Sequence, residues 1–390
     1  MDFELKYSGK LPKEEVINNI PTVHLQEKES FGNPKDNEWT NRLILGDNLT
    51  VLKSLCKDSD VKGNVRLVYI DPPFGTKRTF DENDDLTRYN KKVYEDQLTG
   101  PSYVEFLRRR LILLRELLAD DWSVYVHIDQ RMVHYVRAIM DEVFDGRNFT
   151  NMITRKKCHP KGYTKNSYGN IHDFILFYSD GRNPAWNRPL GQMTKELIES
   201  SEYRYLEEKT GRIYKKVPVH APGVRNGNTG KPWRGRMPPK GKHWQYSPEA
   251  LEKFDRQGRI YWSPTGNPRL KVYLDEREGS LVQDIWLDFL DPMNQFTSVT
   301  GYPTEKNQAM LELIIKASSS KDDIVIDCFC GSGTTMAAAE KLGRRWIGID
   351  NSDTAIETSR KRLLGFYQKE KELSSPRPFI TYHAVQRLQA

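Results

Sequence analysis

Four short, mostly apolar runs in this chain each deliver an aspartate at their carboxyl end. That repetition constrains the fold more than any other feature. Arg42-Leu43-Ile44-Leu45-Gly46 leads to Asp47, and Val65-Arg66-Leu67-Val68-Tyr69-Ile70 to Asp71. Ile324-Val325-Ile326 leads to Asp327, and Trp346-Ile347-Gly348-Ile349 to Asp350. Apolar runs of this length between turn residues read as buried strands. Apolar residues at helical spacing fill the gaps: Leu49, Val51, Leu52 and Leu55, then Phe106, Leu107, Leu111, Leu114 and Leu118, and later Met310, Leu311, Ile314 and Ile315. Asn48 reads as the cap of the first of these helices and Thr304 as the cap of the last. Further helices are expected over 133–144, 335–342 and 354–364. Strands that alternate with helices predict an α/β fold with a mostly parallel sheet covered on both faces. Such sheets bind ligands beyond the carboxyl ends of their strands. The four aspartates therefore mark one candidate site.

The pattern breaks between Ser179 and Pro184 and resumes near Pro303. Before the break, 122–128 reads as a strand, and 149–154 with 173–178 as a terminal antiparallel pair. Residues 1–40 are polar and read as an irregular arm. The expected organisation is an N-terminal extension (1–41), a first α/β part (42–180), an insertion (181–280), a second α/β part (281–367) and a tail (368–390). From Gly181 to Leu270 there are 18 Lys or Arg against 8 Asp or Glu, a surplus of +10 in a chain whose net charge is +7. Trp186, Trp233, Trp244 and Trp262 lie in the same stretch. A basic, aromatic-rich insertion fits a polyanion surface. It equally fits a solvated insertion with an aromatic mini-core.

Other classes are disfavoured. No run of about 18 apolar residues suggests a membrane span. The acidic start, Met1-Asp2-Phe3-Glu4, lacks a secretory core. Four cysteines make no disulfide framework, and Cys328 and Cys330 have no companion CxxC or His pair. No metal site is expected, and reduced cytoplasmic thiols are the default.

Two motifs carry chemistry. Asp327-Cys328-Phe329-Cys330-Gly331-Ser332-Gly333-Thr334-Thr335 is a strand, a glycine turn and a helix start. Glycines admit positive φ and close backbone approach, and the helix start offers unpaired N–H groups. Such a loop could hold a phosphate or the carboxylate of an amino-acid cofactor. Asp350, 17 residues after Gly333, can accept ribose hydroxyls. A dinucleotide-dependent oxidoreductase shares these features, but Met336 stands where its third glycine belongs. The second motif is Asp71-Pro72-Pro73-Phe74. Its prolines remove two donors, so the Asp71 carboxylate and the Pro72 carbonyl can accept both hydrogens of an –NH2 group. Phe74 can stack on a planar ring.

On these residues the chain resembles the amino-DNA methyltransferases. Asp71-Pro72-Pro73-Phe74 is similar to their catalytic tetrapeptide, and Asp327 with Phe329, Gly331, Ser332, Gly333 and Thr334 to their cofactor motif. Asp350 is similar to their ribose acid, and Gly46-Asp47-Asn48 to a contact near the cofactor adenine. Tyr302-Pro303-Thr304-Glu305-Lys306 is similar to a segment that contacts the methionine end. Asn307 replaces the family's usual proline, which is expected to loosen the helix start. Catalytic motif first and cofactor motif last is the permuted order of the β group.

The resemblance implies a class I, Rossmann-like sheet, circularly permuted, with an inserted target recognition domain. It implies S-adenosylmethionine as cofactor and double-stranded DNA as substrate. Candidate DNA contacts are Arg225, Lys231, Arg234, Arg236, Lys240 and Lys242. The 75–100 loop is expected to close over a flipped base. Asp in the tetrapeptide points to adenine N6; cytosine N4 is the alternative, and a catalytically silent DNA-binding subunit a distant one. The resemblance leaves room for a homodimer and for a cognate restriction endonuclease.

Overall fold

The computed structural model describes residues 4–34, 38–73, 100–160, 162, 165–191, 202–277, 279–292, 300–302, 305–368 and 376–386. Phe74, the 75–100 loop up to residue 99, Pro303 and Thr304 lie outside them. The chain divides into two compact units, one of residues 1–189 with 283–390 and one of residues 190–282.

The first unit begins with α1 (Lys13–Asn19), β1 (Val23–Phe31), β2 (Asn41–Leu45), α2 (Asn48–Leu55), β3 (Val65–Ile70) and α3 (Pro101–Leu117). There follow β4 (Leu118–Ile128), α4 (Val133–Phe144), β5 (Phe149–Lys156) and β6 (His172–Ser179). It resumes with β7 (Ile285–Trp286), α5 (Gln308–Ser318), β8 (Ile324–Asp327), α6 (Thr334–Lys341), β9 (Arg345–Asp350), α7 (Asp353–Gln368) and β10 (Phe379–Gln386). These strands form one sheet in the order β1-β10-β2-β9-β8-β3-β4-β6-β5-β7.

The middle of the sheet is parallel, from β10 through β2, β9, β8 and β3 to β4. Register places the four aspartates at one edge. Asp327 pairs with Gly348, Ile326 with Val68, and Asp350 with Leu45, so Asp350 and Asp71 end at one level on either side of β8, with Asp47 a little further along β2. Val68, Val124, Ile326 and Ile347 on the sheet, with Leu52, Leu111, Leu114 and Ile139 on the helices, share one buried apolar cluster. Burying such side chains stabilises by about 1.5–3 kcal/mol each relative to exposure.

Several local expectations need correction. The polar N-terminal arm contains α1 and β1, and β1 pairs antiparallel with β10 of the tail from Val23 to Phe31. Most of β1 is exposed, so its side chains carry little apolar alternation to read. The antiparallel pair β5 and β6 is not terminal, because β7 adds a parallel strand outside β5. Asp47, not Asn48, caps α2: its carboxylate accepts the Leu49 N–H at 3.3 Å. Asn307 caps α5, accepting the Met310 N–H at 3.2 Å, so the residue in the proline's place secures the helix start rather than loosening it.

The second unit holds a four-stranded antiparallel sheet (205–207, 212–218, 260–262 and 268–273) and the helix Pro248–Arg256, capped by the Ser247 hydroxyl. Val219, Trp233, Trp244, Leu251, Ile260 and Leu270 form its core. Trp233 stacks on Trp262 with 5.2 Å between ring centroids and meets Trp244 edge-on. Trp186 does not join this core. It stacks on Phe177 of β6, and the neighbouring Asn187 N–H donates to the Ala317 carbonyl. Residues 181–189 therefore pack with the α/β unit. Among the described residues no helix is long and apolar enough to cross a membrane, and no group of His, Cys, Asp or Glu could hold a metal ion.

Candidate active site

The cofactor-type turn is built as its residues dictate. Gly331 and Gly333 adopt φ of +49° and +75°. A Cβ at Gly333 would come within 3.0 Å of Ser359 side-chain and backbone atoms, so only glycine fits this turn against α7. The Gly333 N–H donates to the Cys330 carbonyl at 2.9 Å, and α6 starts at the next residue. Asp350 Oδ2 accepts the Gly331 N–H at 2.9 Å and Oδ1 accepts the Ser352 N–H at 3.0 Å. Each carboxylate oxygen keeps a lone pair beyond these bonds, so ribose hydroxyls remain acceptable partners.

Asp327 is buried at the start of the turn. It accepts the Phe329 N–H at 3.0 Å and the Thr335 hydroxyl at 2.6 Å. Burial pushes its carboxyl up to about 7; the two hydrogen bonds oppose this, while the charges of Asp71 and Asp350 add to it. Burial likewise raises Asp350. A cationic ligand would relieve this concentration of negative charge. Cys328 and Cys330 are buried free thiols, both pushed up by burial, and neither has the low pKa of a reactive thiolate.

A second wall comes from β2 and α3. Asn48 is buried and donates to the Cys328 carbonyl at 2.6 Å. Arg110 donates to Asn48 and, at 2.9 Å, to Asp47, and it lies 3.6 Å over the Phe106 ring. Phe106 faces Phe329 with 6.0 Å between centroids. A cleft lined by Leu49, Phe106, Arg109 and Arg110 opens here. Arg108 pairs with Glu142 at 2.9 Å and Glu105 at 3.4 Å, and both Arg108 and Arg110 are buried. Helical periodicity alone carries no signal for this, because both arginines break the apolar stripe.

Asp71 leaves β3, the strand next to β8 on the side away from β9. Its Oδ2 lies 2.6 Å from Lys306 Nζ. Its Oδ1 is buried without a hydrogen-bond partner among the described residues. Beneath it lies a buried polar network. Tyr69 hydroxyl and His127 Nδ1 are 2.9 Å apart, His127 Nε2 is 2.9 Å from Asp173, and Asp173 is 3.2 Å from Arg155. Arg155 also pairs with Asp291 and donates to the Phe289 carbonyl at 2.7 Å. Burial opposes ionisation of Asp173, but His127 and Arg155 hold its carboxyl below the usual range. His127 is therefore a buried strut, whereas Asp129 caps a turn through the Arg131 and Met132 N–H groups.

The chain's similarity to known proteins follows this geometry. The DNA methylase model of the N6_N4_Mtase family matches residues 65–361, which includes Asp71, Asp327 and Asp350. Type II methyltransferase M.EcaI of Enterobacter cloacae is 44% identical over 92% of this chain and 77% of its own length. The chain belongs to the N6/N4 family of DNA methylases.

This family draws its methyl group from S-adenosylmethionine. The methylase is also 27% identical to the probable type III restriction-modification HindVI Mod subunit of Haemophilus influenzae, over 87% of this chain, and spans only 52% of that relative. The solved M1.HpyAVI–SAM complex superposes over 83% of this chain and 98% of its own, with a TM-score of 0.42 and 18% identity.

In the second unit, all six candidate DNA contacts are exposed or partly so: Arg225, Lys231, Arg234, Arg236, Lys240 and Lys242. They are not equivalent. Arg234, at positive φ, donates to Glu252 at 2.9 and 3.1 Å and pairs with Asp255 at 2.5 Å. Arg212, Arg259 and Lys271 are likewise paired, with Asp275, Glu276 and Glu207. These four basic side chains are therefore committed to local pairs, which a charge count does not reveal, while the net basic surplus remains.

Proposed function

We propose that this methylase transfers a methyl group from S-adenosylmethionine to the exocyclic N6 amine of an adenine flipped out of double-stranded DNA. The Asp71 carboxylate carries the reading: one oxygen is held by Lys306 and the other is buried without a partner among the described residues. An ionised carboxylate only accepts, so Oδ1 suits one N–H of a planar amine and the Pro72 carbonyl the other. Taking both hydrogens into hydrogen bonds leaves the nitrogen lone pair available for attack. The resemblance gives Phe74 the stacking role and Pro73 the rigidity of the turn. Flipping is required because a stacked base hides its amine.

When bound, S-adenosylmethionine supplies an electrophilic methyl group on a cationic sulfur. The residues that would hold it are Asp350 for the ribose, Asp47 and Asn48 near the adenine, and Asp327, Phe329, Gly331, Ser332, Gly333 and Thr334 around the turn. Pro303, Thr304, Glu305 and Lys306 complete the shell expected from the resemblance. Burial raises the carboxyl pKa of Asp327 and Asp350 and so disfavours their ionised forms, which a bound cationic ligand would favour. The protein's contribution is position: aligned reactants recover much of the entropy cost of a bimolecular step.

Arg225, Lys231, Arg236, Lys240 and Lys242 serve phosphates or base edges, while Arg234 supports the recognition unit. Likeness to a type II methyltransferase supports a role in restriction-modification beside a cognate endonuclease. Mass spectrometry of nucleosides from treated DNA tests the base. N6-methyldeoxyadenosine is expected. N4-methyldeoxycytidine would replace the adenine reading with the cytosine one, and no methylated base would favour a silent DNA-binding subunit.

A further inference from the structure

Glu305, Lys306 and Asn307 are consecutive, yet their side chains reach three different parts of the catalytic unit. Glu305 Oε1 pairs with Arg362 of α7 at 2.9 Å, and Arg362 donates to the Thr334 hydroxyl at 2.9 Å and the Ser332 carbonyl at 3.3 Å. Glu305 Oε2 also accepts the Thr300 N–H and hydroxyl at 2.8 and 2.7 Å. Asn307 caps α5 and donates to the Leu290 carbonyl at 3.0 Å. The backbone on both sides of Lys306 is thereby fixed, to the glycine turn on one side and to the 287–291 segment on the other.

Between these anchors the Lys306 ammonium reaches Asp71 Oδ2 at 2.6 Å, with both side chains mostly buried (12% and 18% exposed). Resemblance alone would assign this lysine to the methionine end of the cofactor. We infer that Lys306 is instead a positioning residue for the amine clamp: it holds Asp71 Oδ2, sets the rotation of the carboxylate and so presents Oδ1 to the target amine. The inference rests on the proposed role of Asp71. A carboxylate χ2 is broad and close to two-fold, so without a fixed partner neither oxygen would be aimed. The Glu305–Arg362 link adds that the clamp and the glycine turn are registered through one short segment.

The test compares the full-length protein with Lys306→Met and Lys306→Arg, alone and in an Asp71→Asn background. Three quantities are read: S-adenosylmethionine Kd by calorimetry, KM for DNA, and the single-turnover rate with cofactor and DNA saturating. Lys306→Met should lower the single-turnover rate roughly 10²-fold, the scale of a misplacement near 1 Å, and leave cofactor Kd within about twofold. Lys306→Arg, which keeps a donor at Asp71, should recover about tenfold of that loss. In the Asp71→Asn background, Lys306→Met should cost less than about threefold, since sites that act through one another are not additive. Cofactor affinity falling tenfold or more with an unchanged saturated rate would overturn the inference, as would a full 10²-fold loss in the Asp71→Asn background. An Asp71→Asn single variant with undiminished turnover would overturn the clamp reading itself, independently of Lys306.

Discussion

The buried carboxylate of Asp327 accepts the Thr335 hydroxyl at 2.6 Å, at the start of the helix that follows the glycine loop. Its carboxyl is raised to about 7, chiefly by burial. Between about pH 4 and 7 the native protein thus holds a proton that the unfolded chain has lost. Stability falls as pH rises through that window. Asp327→Asn is expected to stabilise the cofactor-free protein at pH 8 relative to wild type by up to a few kcal/mol, since each tenfold change in a protonation equilibrium is worth about 1.4 kcal/mol. It should leave stability nearly unchanged at pH 4. Thermal melts at both pH values check this. Because a cationic cofactor favours the ionised acid, wild-type affinity for S-adenosylmethionine should tighten from pH 6 to 8, and this dependence should weaken in the variant.

Gly333 sits at φ +75° with Ser359 atoms within 3.0 Å of any added Cβ. Gly333→Ala therefore combines backbone strain with a steric clash and is expected to cost about 1–3 kcal/mol. Denaturant titration should show that loss, and cofactor Kd should weaken with it.

The four strand-ending aspartates, and with them the parallel core, are legible in the sequence because fully buried strands are continuous apolar runs and their ends are punctuated by turn residues. The edges are less so. β1 is mostly exposed, and its pairing with the tail's β10 is set across the whole chain length. Neither leaves a local pattern. The same holds at the site. The motifs announce Asp71 and the glycine turn, but Arg108, Arg110, Arg155 and Asp173 are buried through partners distant in sequence. Asn48 and Asn307 illustrate the limit at single residues. Both are cap-type side chains at helix starts, and only packing decides that Asp47 caps one helix while Asn48 turns inward to Cys328.

Arg155 and Asp173 form a buried pair between β5 and β6, further bound to His127 and Asp291. Removing one buried partner leaves an uncompensated charge, which typically costs about 3–5 kcal/mol. Asp173→Leu should show a loss of that order in denaturant melts. Arg155→Met combined with Asp173→Leu should be less destabilising than the sum of the singles.

In the second unit, Arg234 is committed to Glu252 and Asp255. Arg234→Ala should lower the melting temperature of the unit while leaving the salt dependence of DNA binding unchanged. Arg236→Ala, Lys240→Ala or Lys242→Ala should each reduce the slope of log K against log salt by about 1 if the residue contacts a phosphate. Fluorescence anisotropy across a salt series reads the difference.

The most direct test of the central claim is single-turnover methyl transfer by Asp71→Ala with saturating DNA and radiolabelled S-adenosylmethionine, beside cofactor Kd for the same variant. The clamp predicts a rate lower by roughly 10²–10³-fold or more, the scale of losing one aimed polar group at a reaction centre, with cofactor affinity nearly unchanged. Turnover at the wild-type rate would contradict it.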